Sequence, residues 1–409
     1  MEPTPKVMLL WHASPIPFTP PSLHPNQWTG VLAEHYDKLD LKKHSRFFPI
    51  PRGNFSLVEV LNSLGIPSPD WLFVCIDSTT PFFIDDINEA APRKFLCLGD
   101  SHHLPTPISR LLPYSLAATW DGLIFTNNVR HAHWFSKASK LNTYFEPALF
   151  AVRIPSHDSA DPKDDLGLPV FYGQMGKFHP RRTRILSNLL QRGLLKHIGG
   201  PTETLGAELQ KAAASVNVTL NSDLNSRVFE IAQTGCLQII DRLAAQNGYG
   251  SVLIPQHNCL TFTSASDLED LLSDTAYLRA VGPILGKNLR DEYDSHWGST
   301  MIRNRFTQSI QTDQVGFLEA PNRQTQPSTQ NLALSYQLQV YESMLELHRT
   351  HEEIELIISG KNRELHRENL ADLPRLKTIE NIASGNPSSD LRVYITEKET
   401  GEPELFRVI

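Results

Sequence analysis

Short apolar runs alternate with longer amphipathic stretches from residue 6 to about residue 310, and this alternation constrains the fold more than any other feature of the chain. The runs at 6–11, 71–76, 94–98, 122–126 and 143–145 are bounded by Pro, Asp, Gly or Asn. A strand that is apolar on both faces needs cover on both, and a parallel sheet between two layers of helices supplies it. Stretches of helical period lie between the runs, at 28–41, 57–64, 108–119 and 131–140. The order predicts an α/β domain with a doubly wound sheet over residues 1–153.

A polar segment with prolines and acidic residues follows at 154–168 (IPSHDSADPKDDLGL) and reads as a linker. A second βα series then occupies 169–316. It predicts strands at 169–172, 216–220 and 237–241, and helices at 181–192, 203–215 and around Glu230. Gly193 and Gly235 read as helix stops. Two such domains place a ligand outside the carboxyl ends of parallel strands. The tail, 317–409, is different in character. It predicts a polar connector at 322–331, helices at 332–351 and 373–384, and a hairpin of 391–397 with 404–409 around Thr400-Gly401.

Composition narrows the function. The 409 residues exceed one ordinary domain, and 40% hydrophobic with 20% charged residues suits a globular protein. The net charge of −7 argues against nucleic acid or an anionic membrane as the main partner. No run reaches the roughly 18 apolar residues of a membrane span. The N-terminal MEPTPKVMLLWHASPIPF reads as a first strand and not as a signal peptide. Cys75, Cys97, Cys236 and Cys259 lie in or beside apolar runs without CxxC spacing. They predict buried free thiols and a reducing, cytoplasmic setting. The sequence contains no GxxxxGK[ST], GxSxG or HExxH, and no GxGxxG after the first strand, which disfavours P-loop nucleotidases, common hydrolases and dinucleotide oxidoreductases.

Three segments carry candidate chemistry. The first is SDLNSRVFEIAQTGCLQIID at 222–241, a loop, a helix, a glycine stop and a buried strand. A helix beginning beside a polar loop offers free N–H groups and a positive dipole end to a phosphate. Glu230, early in that helix, is placed to take two ribose hydroxyls, against the alternative of a solvated helix carboxylate. The second is YGQMGK at 172–177, where glycines after a strand let the backbone approach a phosphate and Lys177 adds charge. The third is GDSHH at 99–103, after the strand 94–98. Asp100, His102 and His103 suit general acid–base work or metal ligation, against a purely structural loop. Asn127, Asn128, Arg130 and His131 follow the strand 122–126 and read as a capped helix start, with Arg130 and His131 placed to face the ligand. Glu146-Pro147 reads as a hinge, and His296-Trp297 as packing.

Leu224, Asn225, Arg227, Val228, Phe229, Glu230, Gly235 and Asp241 form the run LN-x-R-V-F-E-x₄-G-x₅-D. With PQHNCLTFTSASDLEDLL at 255–272 and EYDSHWGSTMIRNRF at 292–306, this run resembles the C-terminal half of group-1 glycosyltransferases, the family-4-like, CgeB-like branch. The resemblance covers residues 165–310 well and 5–150 weakly. It implies the GT-B fold, two Rossmann-like domains facing a cleft, and transfer of a sugar from a nucleoside diphosphate donor, a UDP-sugar, to an acceptor that is a saccharide, a peptide or a small molecule. It implies a donor site of Glu230, Asn225, Arg227 and Gly173, with Lys177 and Arg181 or Arg182 as phosphate cations, and His102 or His103 with Asp100 beside the reacting carbon. Basic side chains and a helix N-terminus then neutralise the leaving diphosphate without a metal or cofactor. Ser222 stands where the family often has a second glutamate, which leaves retention or inversion open. A catalytically degenerate scaffold on the same fold and a sugar-nucleotide epimerase are the alternative readings.

Overall fold

The computed structural model describes residues 6–12, 28–33, 45–77, 80–99, 107–126, 132–147, 167–176, 180–199, 202–219, 224–241, 252–262, 264–298, 314–320, 354–360, 363–369, 392–397 and 403–408, with single positions and pairs between 301 and 312. The chain divides into two units, Met1–Val152 with Ser299–Gln326, and Arg153–Gly298 with Pro327–Ile409. No described helix is long and apolar enough to cross a membrane.

The first unit is built on β1 (Val7–His12), β2 (Trp28–Ala33), β3 (Ser45–Pro49), β4 (Gly53–Phe55), β5 (Trp71–Ile76), β6 (Phe82–Ile84), β7 (Arg93–Leu98), β8 (Gly122–Phe125) and β9 (Thr143–Phe145). Seven of these form one sheet in the order β3-β2-β1-β5-β7-β8-β9, and β4 pairs with β6. The strands from β1 to β9 in that order run parallel. Every residue of β5 is buried, as a strand covered on both faces requires. Alternate residues Trp71, Phe73 and Cys75 share one apolar cluster with Phe95, Cys97 and Ile124. Helices Leu57–Ser63, Ile87–Ala90, Pro107–Leu116 and Ala132–Ser139 connect the strands.

One expected helix is a strand. Residues 28–33 form β2, antiparallel to β1 with His12 opposite Trp28 and Val7 opposite Ala33, and β3 adds beyond it. Residues 34–41 of that expectation lie outside the described residues. Trp, Thr and Val favour an extended chain, and Gly30 weakens a helix. Gly30 also lies opposite Phe48, whose ring occupies the space a side chain at Gly30 would take.

The first unit is closed by a segment from far along the chain. Phe317 enters the β5–β7 cluster, edge-on to Phe95 at 5.3 Å and to Phe73 at 6.1 Å. The Phe145 N–H donates to the Leu318 carbonyl at 2.8 Å, and the Ala320 N–H to the Thr143 carbonyl at 2.9 Å. Arg305 donates to both oxygens of Glu146, from Nε at 2.9 Å and Nη2 at 2.7 Å. Leu318 N–H adds a third donor to the Glu146 carboxylate, at 3.2 Å. Glu146, read from sequence as part of a hinge, is an anchor for this returning segment. The first unit therefore includes Ser299–Gln326 as well as Met1–Val152.

The second unit contains β10 (Val170–Tyr172), β11 (Lys196–Ile198), β12 (Ser215–Asn217), β13 (Gln238–Asp241) and β14 (Leu260–Phe262). They form a parallel sheet in the order β11-β10-β12-β13-β14. Phe171, Val216, Ile239 and Leu260 pack on one face against helices Pro180–Gln191, Ala265–Ser273 and Thr275–Glu292. Val170, Ile198 and Cys236 pack with residues of helices Thr202–Lys211 and Ser226–Thr234 in a second cluster. Gly235 ends the helix Ser226–Thr234 in the left-handed conformation, φ +68°, as expected of a glycine stop. A single π-helical turn, Tyr293–Trp297, extends the long helix and sets both aromatic rings near Phe229, at 6.4 and 6.5 Å. Trp297 is buried, and His296 is exposed beside Glu292 at 3.1 Å.

The tail holds an antiparallel sheet of β15 (Ile354–Gly360), β16 (Arg363–Asn369), β17 (Arg392–Glu397) and β18 (Pro403–Val408), in the order β16-β15-β17-β18. The expected hairpin is β17 with β18. The pair β15–β16 was not expected, and the connector at 322–331 and the helices at 332–351 and 373–384 lie outside the described residues. The four cysteines are free and buried.

Candidate functional site

The strand order of the second unit places a switch point at β10. The chain moves from β10 to one side for β11 and then to the other side for β12. In open α/β sheets the crevice at the carboxyl ends of such strands is where ligands bind. The carboxyl end of β10 is Tyr172-Gly173 and that of β12 is Asn217 with Val218 and Thr219 beyond it.

Gly173 takes φ +149°, a conformation that L side chains rarely adopt. The Arg227 guanidinium occupies the space where a side chain at Gly173 would stand. The His197 ring holds the same glycine from another side, its Nε2–H donating to the Gly173 carbonyl at 2.8 Å. Gly176 follows with φ +106°, and its N–H donates to Thr183 Oγ1 at 2.8 Å. The turn after β10 is therefore tied by side chains from two other elements.

Arg227 is the second residue of the helix Ser226–Thr234. Its guanidinium carbon lies 5.6 Å from the centres of both the Phe171 and Tyr172 rings. Nη1 donates to Asn217 Oδ1 at 3.2 Å. Asn217 is wholly buried and exchanges side-chain hydrogen bonds with Asn225, at 3.1 and 3.3 Å. Asn225 stands at the helix start without capping it, because its amide is committed to Asn217. Glu230 lies three residues after Arg227, on the same helical face. Only 7% of Glu230 is exposed. The solvated-carboxylate reading is thereby replaced by a buried one, and a buried carboxylate needs charge or hydrogen-bond partners. Tyr172 feels both groups. Burial raises its phenol above the ordinary value, the Glu230 charge raises it further, and Arg227 opposes them.

The structure thus brings together Glu230, Arg227, Asn225 and Gly173 at the switch point. Arg182, considered from sequence as a phosphate cation, is otherwise engaged. Its Nε and Nη2 donate to the Val218 carbonyl at 3.1 and 2.9 Å, and Nη1 donates to Gln174 O at 2.9 Å. It is buried and braces the turn after β10 against the end of β12. Asp241 plays a similar part, accepting from Thr219 N–H at 2.9 Å and from its hydroxyl at 3.0 Å. Lys177, Asp100, His102, His103, Ser222, Asp223 and residues 127–131 lie outside the described residues, as does the side chain of Arg181. Sequence reasoning gave Tyr172 no role of its own within the segment 172–177 and missed Asn217 and His197. Each ends a predicted strand or lies on an adjacent one, so strand order, once known, is the signal that finds them.

Residues 182–283 match the family model described as Glycosyl transferase-like. The segment that matches holds Arg182, Asn217, Asn225, Arg227 and Glu230, and it agrees with the resemblance to group-1 glycosyltransferases. No curated protein sequence matches the chain. Among solved structures, sucrose-phosphate synthase from Thermosynechococcus elongatus is 14% identical with a TM-score of 0.44, over 62% of this chain and 75% of that one. TarM is 10% identical with a TM-score of 0.43, over 62% of this chain and 57% of that one. The pneumococcal O-GlcNAc transferase GtfA, solved with UDP and GlcNAc, is 10% identical with a TM-score of 0.42, over 62% and 59%. The match spans less than two thirds of the last two proteins.

Proposed function

We propose that this protein is a GT-B glycosyltransferase that moves a sugar from a nucleoside diphosphate donor, a UDP-sugar, to a saccharide, peptide or small-molecule acceptor. The observation that carries the reading is the buried Glu230 carboxylate beside Arg227 and Tyr172 at the switch point of a parallel sheet. A carboxylate accepts two hydrogen bonds from a vicinal diol, and a ribose presents one. The turn 173–176, with Lys177, Arg181 and Arg227, holds the diphosphate. These cations and the helix start at Asn225 stabilise the charge that grows on the leaving group, so no metal is required. His102 or His103, with Asp100, serves the reacting carbon as general acid or base. The buried thiols are in keeping with a cytoplasmic setting.

A thermal-shift screen of UDP, GDP, TDP and ADP on wild type and Glu230→Ala tests the reading. A ligand at a hundredfold its Kd that binds only the native state adds about 2.7 kcal/mol. One nucleotide is expected to stabilise the wild type and not the variant. Full donor affinity in Glu230→Ala removes the site assignment. Absence of stabilisation by all four favours the scaffold reading, and product analysis without acceptor separates an epimerase.

A further inference from the structure

The fold uses the ring of Tyr172 and leaves its phenol oxygen over. The side chain packs against the apolar cluster that holds Val170, Ile198 and Ile231, and its ring centre lies 5.6 Å from the Arg227 guanidinium carbon. Among the described residues the oxygen makes no hydrogen bond. Tyr172 ends β10, so the phenol stands at the carboxyl edge of the sheet, at its switch point. Arg227 and Glu230 reach the same place from one face of the helix Ser226–Thr234, and the charges of both act on the phenol.

Three different hydrogen-bonding characters meet there. An ionised carboxylate only accepts, a guanidinium only donates, and a phenol can donate while its ring stays fixed. A vicinal diol presents two O–H donors and the lone pairs of two oxygens. Glu230 can satisfy the donors, but a carboxylate has nothing for the lone pairs. Resting on the donor reading above, we infer that Tyr172 is a specificity-determining residue of this site, its phenol donating a hydrogen bond to a ribose hydroxyl oxygen of a bound nucleoside diphosphate. Burial and the nearby Glu230 charge raise the phenol above its ordinary 10.0, so it stays protonated, and a donor, at neutral pH.

Tyr172→Phe removes the O–H and keeps the ring under Arg227. The test is calorimetric titration of wild type and Tyr172→Phe with UDP, 2′-deoxy-UDP and 3′-deoxy-UDP, with the melting temperature of each protein. Wild type is expected to prefer UDP over at least one deoxy nucleotide. The variant is expected to bind UDP roughly three- to tenfold more weakly, the worth of one hydrogen bond, and to lose part of that discrimination while its melting temperature stays unchanged. A residue that only packed would leave the discrimination as it was. Equal UDP affinity in variant and wild type overturns the inference alone. A wild type that binds UDP and both deoxy nucleotides alike overturns it together with the diol role of Glu230. A wild type that binds none of the three overturns the UDP-donor reading itself.

Discussion

The guanidinium of Arg227 lies so close to the backbone of Gly173 that the glycine has no room for a side chain. The positive φ of Gly173 and the position of Arg227 are thus two aspects of one arrangement. Gly173→Ala is expected to displace Arg227 and to strain the backbone by about 1–3 kcal/mol. Thermal unfolding should show the loss of stability, and nucleotide titration should show a weakened site. Unchanged values of both would mean that the turn accommodates a methyl group.

Arg182 is expected to act on the site through the backbone. Arg182→Ala leaves the carbonyls of Val218 and Gln174 without their charged donor, a cost of about 2–3 kcal/mol. Arg182→Lys should recover little of it, because an ammonium cannot serve two separated carbonyls as a fork does. Denaturant unfolding of the two variants checks this, and full recovery by lysine would contradict it.

Glu146 is fully buried, and the Arg305 side chain is 14% exposed. Removing one partner of such a pair costs about 3–5 kcal/mol, since the other charge stays buried. Glu146→Ala is therefore expected to lower the unfolding midpoint substantially, with Arg305→Ala close behind. A double variant less damaged than the sum of the two would measure their coupling.

Cys236 has its thiol pushed up to about 12 by burial, from an ordinary 9.0. The folded state holds this proton more tightly than the unfolded state. Its contribution to stability is therefore complete below about pH 9 and is lost as the pH rises toward about 12. Cys75 is raised in the same sense, first by burial and then by its contact with Cys97. Alkylation at neutral pH is expected to spare Cys75, Cys97, Cys236 and Cys259 until the chain is unfolded. Rapid labelling of any of these thiols in the native protein would count against their placement.

The central parallel strands such as β5 were legible because a continuous apolar run like WLFVCI has no solvated face to confuse its reading, whereas β11, KHI with two exposed residues, gave no such run and was not expected. The helix that carries Glu230 was legible for a local reason, the glycine stop that ends it. β2 was not, because the role of Gly30 depends on Phe48 in a strand that a window around residue 30 cannot see. Arg182 was misjudged because its partners are main-chain carbonyls, which carry no sequence signal. The strand β16, RELHREN, has almost no apolar residue to announce it. Tyr172 became meaningful only once strand order was known, since nothing in YGQMG says that β10 is flanked by both β11 and β12.

The dependence of the first unit on Phe317 and Arg305 has a consequence during synthesis. The sheet from β1 to β9 is translated within the first 145 residues, yet its aromatic cluster stays open until a ring about 170 positions later emerges. At ~5–20 residues per second that interval lasts ~10–30 s, during which the second unit's sheet is completed first. The core of the first unit is therefore sealed only after the sheet β10–β14 has been made. A truncation placed just before residue 317, at the end expected of the second domain, would yield a product with its first core permanently unsealed.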